Sequence, residues 1–457
     1  MNAPTLPSQA VFVSGSTLRH VAVMTATASV GLIAIFVVDF LSLLYVSRLG
    51  RPEATAGVGY ATIVLYLMIS FNVGLMIAVT ALTARALGAG DREGARRMAG
   101  STLTVMAIAG LGLSFVMLPL LPWLLPKLGA HGESLAVATS FLWITLPSNA
   151  LMALGMGLSG VLRAVGDAKR AMYVTLAGGI VTAALDPLLI FGLGLGPNGA
   201  AWATVFSRVV FLAVGFHGAL RVHRMVARPT LAALRRDVRP TFAIAAPAIM
   251  TNLANPIANA CFFGIIARFG DQVIAASAII DRLVPVAFGV LFALSGAVGP
   301  ILAQNWGAQR YDRMRQALTD SVSFAAAYVA VAGLLLALLR HQISALFGTS
   351  GETAELVAFF GLIAGPMWLF VGALFVANSA FNNLGMPFYS TLFSWGRATL
   401  GTVPLAWLGA QYAGPKGALA GAALGAVLFG IAALVTAYRG IARLERSAQM
   451  AARPSLA

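Results

Sequence analysis

The 457-residue chain is 59% hydrophobic and only 10% charged, whereas an ordinary soluble domain carries about 25% charged residues. A soluble multidomain protein is excluded, and a polytopic helical membrane protein is indicated. The formal charge of +15 would suggest nucleic acid in a soluble protein, but here it gathers in one set of connecting loops, so topology explains it and no nucleic-acid partner is expected.

The first apolar stretch, residues 21–47, is too long for a cleaved signal segment of about 7–15 apolar residues and is taken as a retained transmembrane helix. Further spans follow at 55–84, 98–123, 135–161, 171–194, 198–220, 241–267, 273–303, 317–339, 354–381, 388–412 and 417–438. Placing the termini and the even-numbered connections on one side gathers Arg85, Arg92, Arg96, Arg97, Arg163, Lys169, Arg170, the linker arginines from Arg221 to Arg239, Arg310, Arg313, Arg315 and the tail arginines through Arg453. The other side keeps Arg48, Arg51, Lys127, Arg268, Arg340 and Lys416. Positive charge marks the cytoplasmic side, so both termini are expected there, in a bacterial inner membrane. The single cysteine, Cys261, excludes a disulfide framework and reads as a small core side chain. The histidines stand singly, without metal-ligand spacing on one helix, and no metal is expected.

The chain repeats itself. Arg48-Leu49-Gly50 recurs as Arg268-Phe269-Gly270, Leu87-Gly88-Ala89 as Trp306-Gly307-Ala308, Gly166 as Gly385, and Gly196-Pro197-Asn198-Gly199 as Gly414-Pro415-Lys416-Gly417, each about 219 residues on. The expected architecture is all-α: twelve transmembrane helices in two six-helix repeat lobes, residues 1–228 and 229–457, joined at the basic linker. Parallel repeats of this kind build transporters that work by alternating access.

Of the fifteen acidic residues, Asp39, Asp186 and Asp281 fall well inside spans. A carboxylate there costs about 2.5–3.5 kcal/mol on insertion scales, which makes each a functional candidate. At 1.5 Å per residue, Asp39 lies about 13 Å, Asp186 about 12 Å and Thr204 about 9 Å inside the outer boundary, with Arg208 one turn deeper. This predicts a polar pocket within the N-terminal bundle, where a carboxyl can take up a proton from outside and release it when the pocket changes. The alternatives are that these acids only hold helices together, or that Arg208 neutralises Asp186. Asp281 and Arg282 are adjacent, so they point about 100° apart and do not pair with each other; a structural or gating role suits them. Asn252, Asn255 and Asn259 share one helical face of the seventh span and either line a substrate path or bond neighbouring helices. Arg397 is isolated and either meets a helix terminus or faces the cleft. Gly194 to Gly199 fits a dinucleotide-loop pattern, but no acidic residue follows within about 20 residues, so it is a connector. Gly417, Gly421 and Gly425 form a ridge for close helix packing.

Val38-Asp39, Arg85-Ala86-Leu87-Gly88-Ala89-Gly90-Asp91, Leu162-Arg163-Ala164-Val165-Gly166-Asp167, Leu185-Asp186-Pro187 through Gly192, Gly199-Ala200-Ala201-Trp202-Ala203-Thr204 and Gln304-Asn305-Trp306-Gly307-Ala308 together resemble the multidrug and toxic compound extrusion (MATE) family along nearly the whole chain. The resemblance implies twelve helices in two lobes and export of organic, often cationic, compounds in exchange for protons or sodium. It implies that Asp39, Asp186 and Thr204 match the N-lobe cluster that handles the coupling ion. Thr182 stands where the family often has Asn, four residues before the second acid. The carboxylates that the NorM-like branch carries in its seventh and tenth helices are absent, so the chain looks DinF-like.

The expected function is therefore a secondary active multidrug efflux antiporter driven by protons, acting as a monomer in the lipid bilayer on small-molecule substrates, without a cofactor. Sodium held at Asp39 and Asp186 is the alternative coupling ion. A flippase for a lipid-linked anionic precursor is a second alternative, motivated by Arg208, Arg282 and Arg397. A membrane-embedded enzyme would need a nucleophile, base or metal constellation, and the sequence offers none.

Overall fold

The computed structural model describes residues 10–451, which are helices joined by short non-helical connections, with no strand among them. Helices are what an apolar chain without water must form, because each backbone N–H and C=O is then satisfied within its own segment. In chain order they are α1 (Thr17–Ser47), α2 (Pro52–Gly88), α3 (Arg92–Lys127), α4 (Gly132–Thr145), α5 (Asn149–Val165), α6 (Ala168–Pro187), α7 (Pro197–Phe216), α8 (Leu231–Ile266), α9 (Asp271–Gly307), α10 (Tyr311–Leu346), α11 (Gly351–Asn383), α12 (Pro387–Gly396) and α13 (Val403–Ala451).

Eleven stretches are long and apolar enough to cross a membrane, and the last, Pro387–Met450, runs 64 residues. Inside it Ala413 and Gly414 leave helical geometry, so this stretch is a hairpin of two crossings and the described chain crosses twelve times. The hairpin closes on glycine. A Cβ on Gly417, Gly421 or Gly425 would lie 1.9–2.1 Å from the backbone oxygen of Gly409, Leu405 or Gly401 respectively. The expected ridge thus has a partner, the first arm of the same hairpin.

Three further breaks follow from proline, whereas the π turn His217–Val222 at the end of α7 contains none. Pro147 interrupts the fourth span as a 3-10 turn, Leu146–Ser148, between α4 and α5. Pro187 ends α6, which continues as a π turn, Leu188–Gly192. Pro404 cannot donate to the carbonyl four residues earlier, and α12 joins α13 through another π turn, Arg397–Thr402.

The internal repeat is written into the backbone. Gly129 and Gly348, Gly132 and Gly351, Gly166 and Gly385, Gly196 and Gly414 all take positive φ. At the last pair the values are 56° and 59°, each just before a proline that starts a helix. Gln309, matching Gly90, keeps the positive φ without being glycine.

Packing divides the chain into two compact units, Val30–Ile249 and the chain from Met250 onward joined by Val11–Ser29. The division falls inside α8, beyond the basic linker, and inside α1. In the second unit the N-terminal segment is tied down by Phe12 N–H donating to Gln304 Oε1 at 2.9 Å and by Arg313, which donates to the carbonyls of Phe12, Ser14 and Gly15. In the first unit the basic linker packs onto its loops: Ala227 N–H donates to the Arg96 carbonyl at 3.0 Å, and Arg97 pairs with buried Asp237 at 2.5 Å. Burial would raise the Asp167 carboxyl, but hydrogen bonds from His223 and Arg170 hold it well below the usual range. Cys261 is exposed on α8, contrary to a core placement; in a membrane chain a small apolar side chain loses nothing by facing lipid. Arg453 lies outside the described residues.

Candidate functional site

In the first unit, buried apolar side chains form two clusters at different levels of the bundle. One contains Leu75, Leu103, Ala153, Val174 and Phe211; the other contains Met68, Leu121, Leu146, Ile190 and Ala201. Between these levels lie the polar side chains Asn72, Asn149, Thr182, Asp186, Thr204 and Arg208.

Three helices meet there because α6 carries Gly178 and Gly179 side by side. Gly179 faces Val38 of α1, where a Cβ would be 3.4 Å from its methyl, and Gly178 faces Ser207 of α7. The Ser207 hydroxyl seals that contact by donating to the Gly178 carbonyl at 2.8 Å. Thr182 follows one turn later and Asp186 another, so Asp186 on α6 is held against the segment of α1 that carries Asp39 and Ser42.

Asp186 is fully buried, and neither carboxylate oxygen has a hydrogen bond that meets normal geometry. Ser42 and Asp39 of α1 are both close enough to act on it. Asp39 itself is exposed. Thr182 and Thr204 are half-buried, with hydroxyls returned to their own helices, on Gly178 at 3.2 Å and Ala200 at 3.0 Å. A threonine bonded this way keeps its oxygen lone pairs available to an ion or proton carrier.

Arg208 does not neutralise Asp186. Its guanidinium is buried and donates to the Thr145 carbonyl at 2.6 Å and to Ser148 Oγ at 2.9 Å. The interruption of the fourth span frees those acceptors, and Arg208 satisfies them. No ion pair joins it to an acid among the described residues. Asn72 likewise donates to Asn149 Oδ1 at 2.9 Å, and Asn149 to the Gly110 carbonyl at 3.1 Å. Reading the sequence missed Ser42, Asn72 and Asn149; the signal was a polar side chain within an apolar span, in Ser42's case one turn from Asp39. A pocket of about 530 Å³ lies at the α1–α2 turn, lined by Leu43, Ser47, Arg51 and Thr55, and does not include the carboxylates.

In the second unit, Asp281, Arg282 and Asn259 are exposed and Asn252 is half-buried. Asn255 accepts a hydrogen bond from Arg397 at 2.5 Å. Arg397 therefore meets an amide across helices rather than a helix terminus, and Asn255 bonds a neighbouring helix.

Comparison with known proteins agrees with this fold. The MatE family model matches residues 28–188 and 247–408. A Shewanella oneidensis protein named FAD transporter is 30% identical over 417 residues, 90% of this chain and 92% of its own length. The probable multidrug resistance protein NorM of Deinococcus radiodurans is 29% identical over 68% of this chain and 69% of its own. Among solved structures, the Vibrio cholerae MATE transporter VcmN in its bent form superposes with a TM-score of 0.90 at 22% identity, covering 94% of this chain and 98% of that one. An outward-facing multidrug resistance transporter of the MOP superfamily gives 0.89 at 21%, covering 98% and 100%. With twelve crossings, an internal repeat and both halves matched by the family model, the chain belongs to the MATE family of multi-pass membrane transporters.

Proposed function

We propose that the protein exports organic compounds in exchange for protons, which load at Asp39 and Asp186. The observation that carries this is Asp186: a fully buried carboxyl set beside Ser42 and Asp39, with no ion pair to a cation among the described residues. A buried ionised carboxylate without partners is expensive, whereas the protonated form is not. Its protonation is therefore tied to whether the pocket is wet or dry. Asp39, on the surface of the adjoining helix, is assigned the exchange of protons with the outside. When outside pH is low, protons enter, the pair is neutralised and α1 and α6 can close on each other; when the pocket opens inward, the protons leave. Each positive charge moving inward down 100 mV adds about 2.3 kcal/mol. The gathering of basic residues in one set of loops supports a bacterial inner-membrane protein with both termini on the cytoplasmic side.

The test is efflux of ethidium from proteoliposomes under an imposed pH gradient or an imposed sodium gradient. The pH gradient alone should drive the wild type, and Asp39→Asn and Asp186→Asn should each lose at least tenfold in rate. Drive by sodium alone would replace the ion. Variants matching wild type would remove the coupling role from these acids. A second reading of the cargo rests on the Shewanella relative, whose name specifies FAD, an anionic dinucleotide; the same vesicles loaded with FAD test it.

A further inference from the structure

We infer that Arg397 and Asn255 of the second unit form an anion-recognition site for the phosphate or carboxylate of an exported substrate. This deepens the export reading above by naming the chemical class of one cargo.

Arg397 lies ten residues into the span that begins at Pro387, about 15 Å deep and near the middle of the hydrocarbon. No carboxylate lies within ion-pair distance of it among the described residues. Its one hydrogen bond is donated by Nη2 to Asn255 Oδ1, and its Nε is shut off from solvent without a partner. Charges at this depth ordinarily pair with an opposite charge or with backbone carbonyls, and among the described residues Arg397 has only the Asn255 amide.

The chemistry of what remains is one-sided. With Oδ1 committed to Arg397, the Asn255 amide presents its NH2 group. The guanidinium presents N–H groups only. Apart from the second lone pair of Asn255 Oδ1, the groups left open at this point are donors, which suits phosphate or carboxylate oxygens over a cation.

The local backbone is built around the same residue. Arg397 opens the π turn that joins α12 to α13, and the Thr402 hydroxyl donates to the Arg397 carbonyl at 2.9 Å. π turns recur at functional sites because they offset a side chain from the regular helical face. Toward the start of α12, a polar ladder continues from Arg397: Ser390 donates to Asn382 Oδ1 at 2.8 Å and lies 3.0 Å from the Thr251 hydroxyl, one turn from Asn255. Those groups satisfy one another and leave the guanidinium as the point of unspent charge.

Riboflavin and flavin mononucleotide differ by one phosphate, and their fluorescence reports binding to purified protein at equilibrium without any ion gradient. Failure of ion-driven export therefore cannot be mistaken for failure here. Wild type should bind flavin mononucleotide at least tenfold tighter than riboflavin. Arg397→Gln should bring the two within twofold, and Arg397→Lys should keep most of the preference. Asn255→Asp supplies the missing counter-charge from within the chain and should abolish the preference in a protein that still elutes as a monodisperse peak. Added phosphatidylglycerol should not displace the nucleotide. Equal binding of the two flavins by wild type, an undiminished preference in both Arg397→Gln and Asn255→Asp, or displacement by the lipid would each overturn the proposal.

Discussion

Asp186 and Arg208 belong to the same buried layer, yet each answers to a different neighbour. Arg208 is committed to the interrupted fourth span, through Thr145 and Ser148, and its role is to satisfy acceptors that the Pro147 break exposes. Arg208→Met should therefore lower stability by about 2–3 kcal/mol, the worth of lost charge-assisted hydrogen bonds, read as a drop in melting temperature in detergent. The surviving protein should still respond to a pH gradient, because the carboxylates are untouched. If Arg208→Met instead abolished coupling at unchanged stability, the guanidinium would belong to the proton path. From the sequence, depth alone placed Asp39, Asp186, Thr204 and Arg208 at one level. Which of them pair depends on side-chain direction, and that follows from where Gly178 and Gly179 let α1 and α7 approach α6.

At the scale of elements, the last hairpin is held by backbone contact. Gly421 meets the Leu405 carbonyl so closely that any side chain must push the two arms apart, and overpacking of this kind costs about 1–3 kcal/mol or more. Gly421→Val should sharply reduce the folded yield. Gly289 of α9 offers the contrast, since a Cβ there meets nothing within 4 Å; Gly289→Ala should be neutral or stabilising by up to about 1 kcal/mol through helix propensity. Thermal unfolding of the two variants beside wild type checks both. The glycine ridge was legible in the sequence because the spacing of four residues is a helical face. Its partner was not, because nothing local says that the facing arm would be Gly401, Leu405 and Gly409. The π turns at Leu188–Gly192 and Arg397–Thr402 were equally hidden: proline announces a break, but the neighbours decide how the freed carbonyl is satisfied.

For the whole molecule, the arginine distribution predicts orientation. With Cys261→Ser as background, Glu133→Cys in the first turn of α4 should react with a membrane-impermeant maleimide in intact cells. Lys169→Cys, at the start of α6, should react only after permeabilisation. Both positions are exposed, so a reversed pattern would invert the topology. The sequence by itself determined the membrane class, the number of crossings, the internal repeat and the family, because these rest on composition, on span length against bilayer thickness, and on glycines whose positive φ no other residue adopts cheaply. Only the tertiary structure decided that Asp186 is left without a cation, that Arg208 staples a broken helix, and that Arg397 stands against Asn255. Each is a question of which side chains meet across helices, and in an apolar solvent the helices form from their own sequence while their partners are chosen by packing.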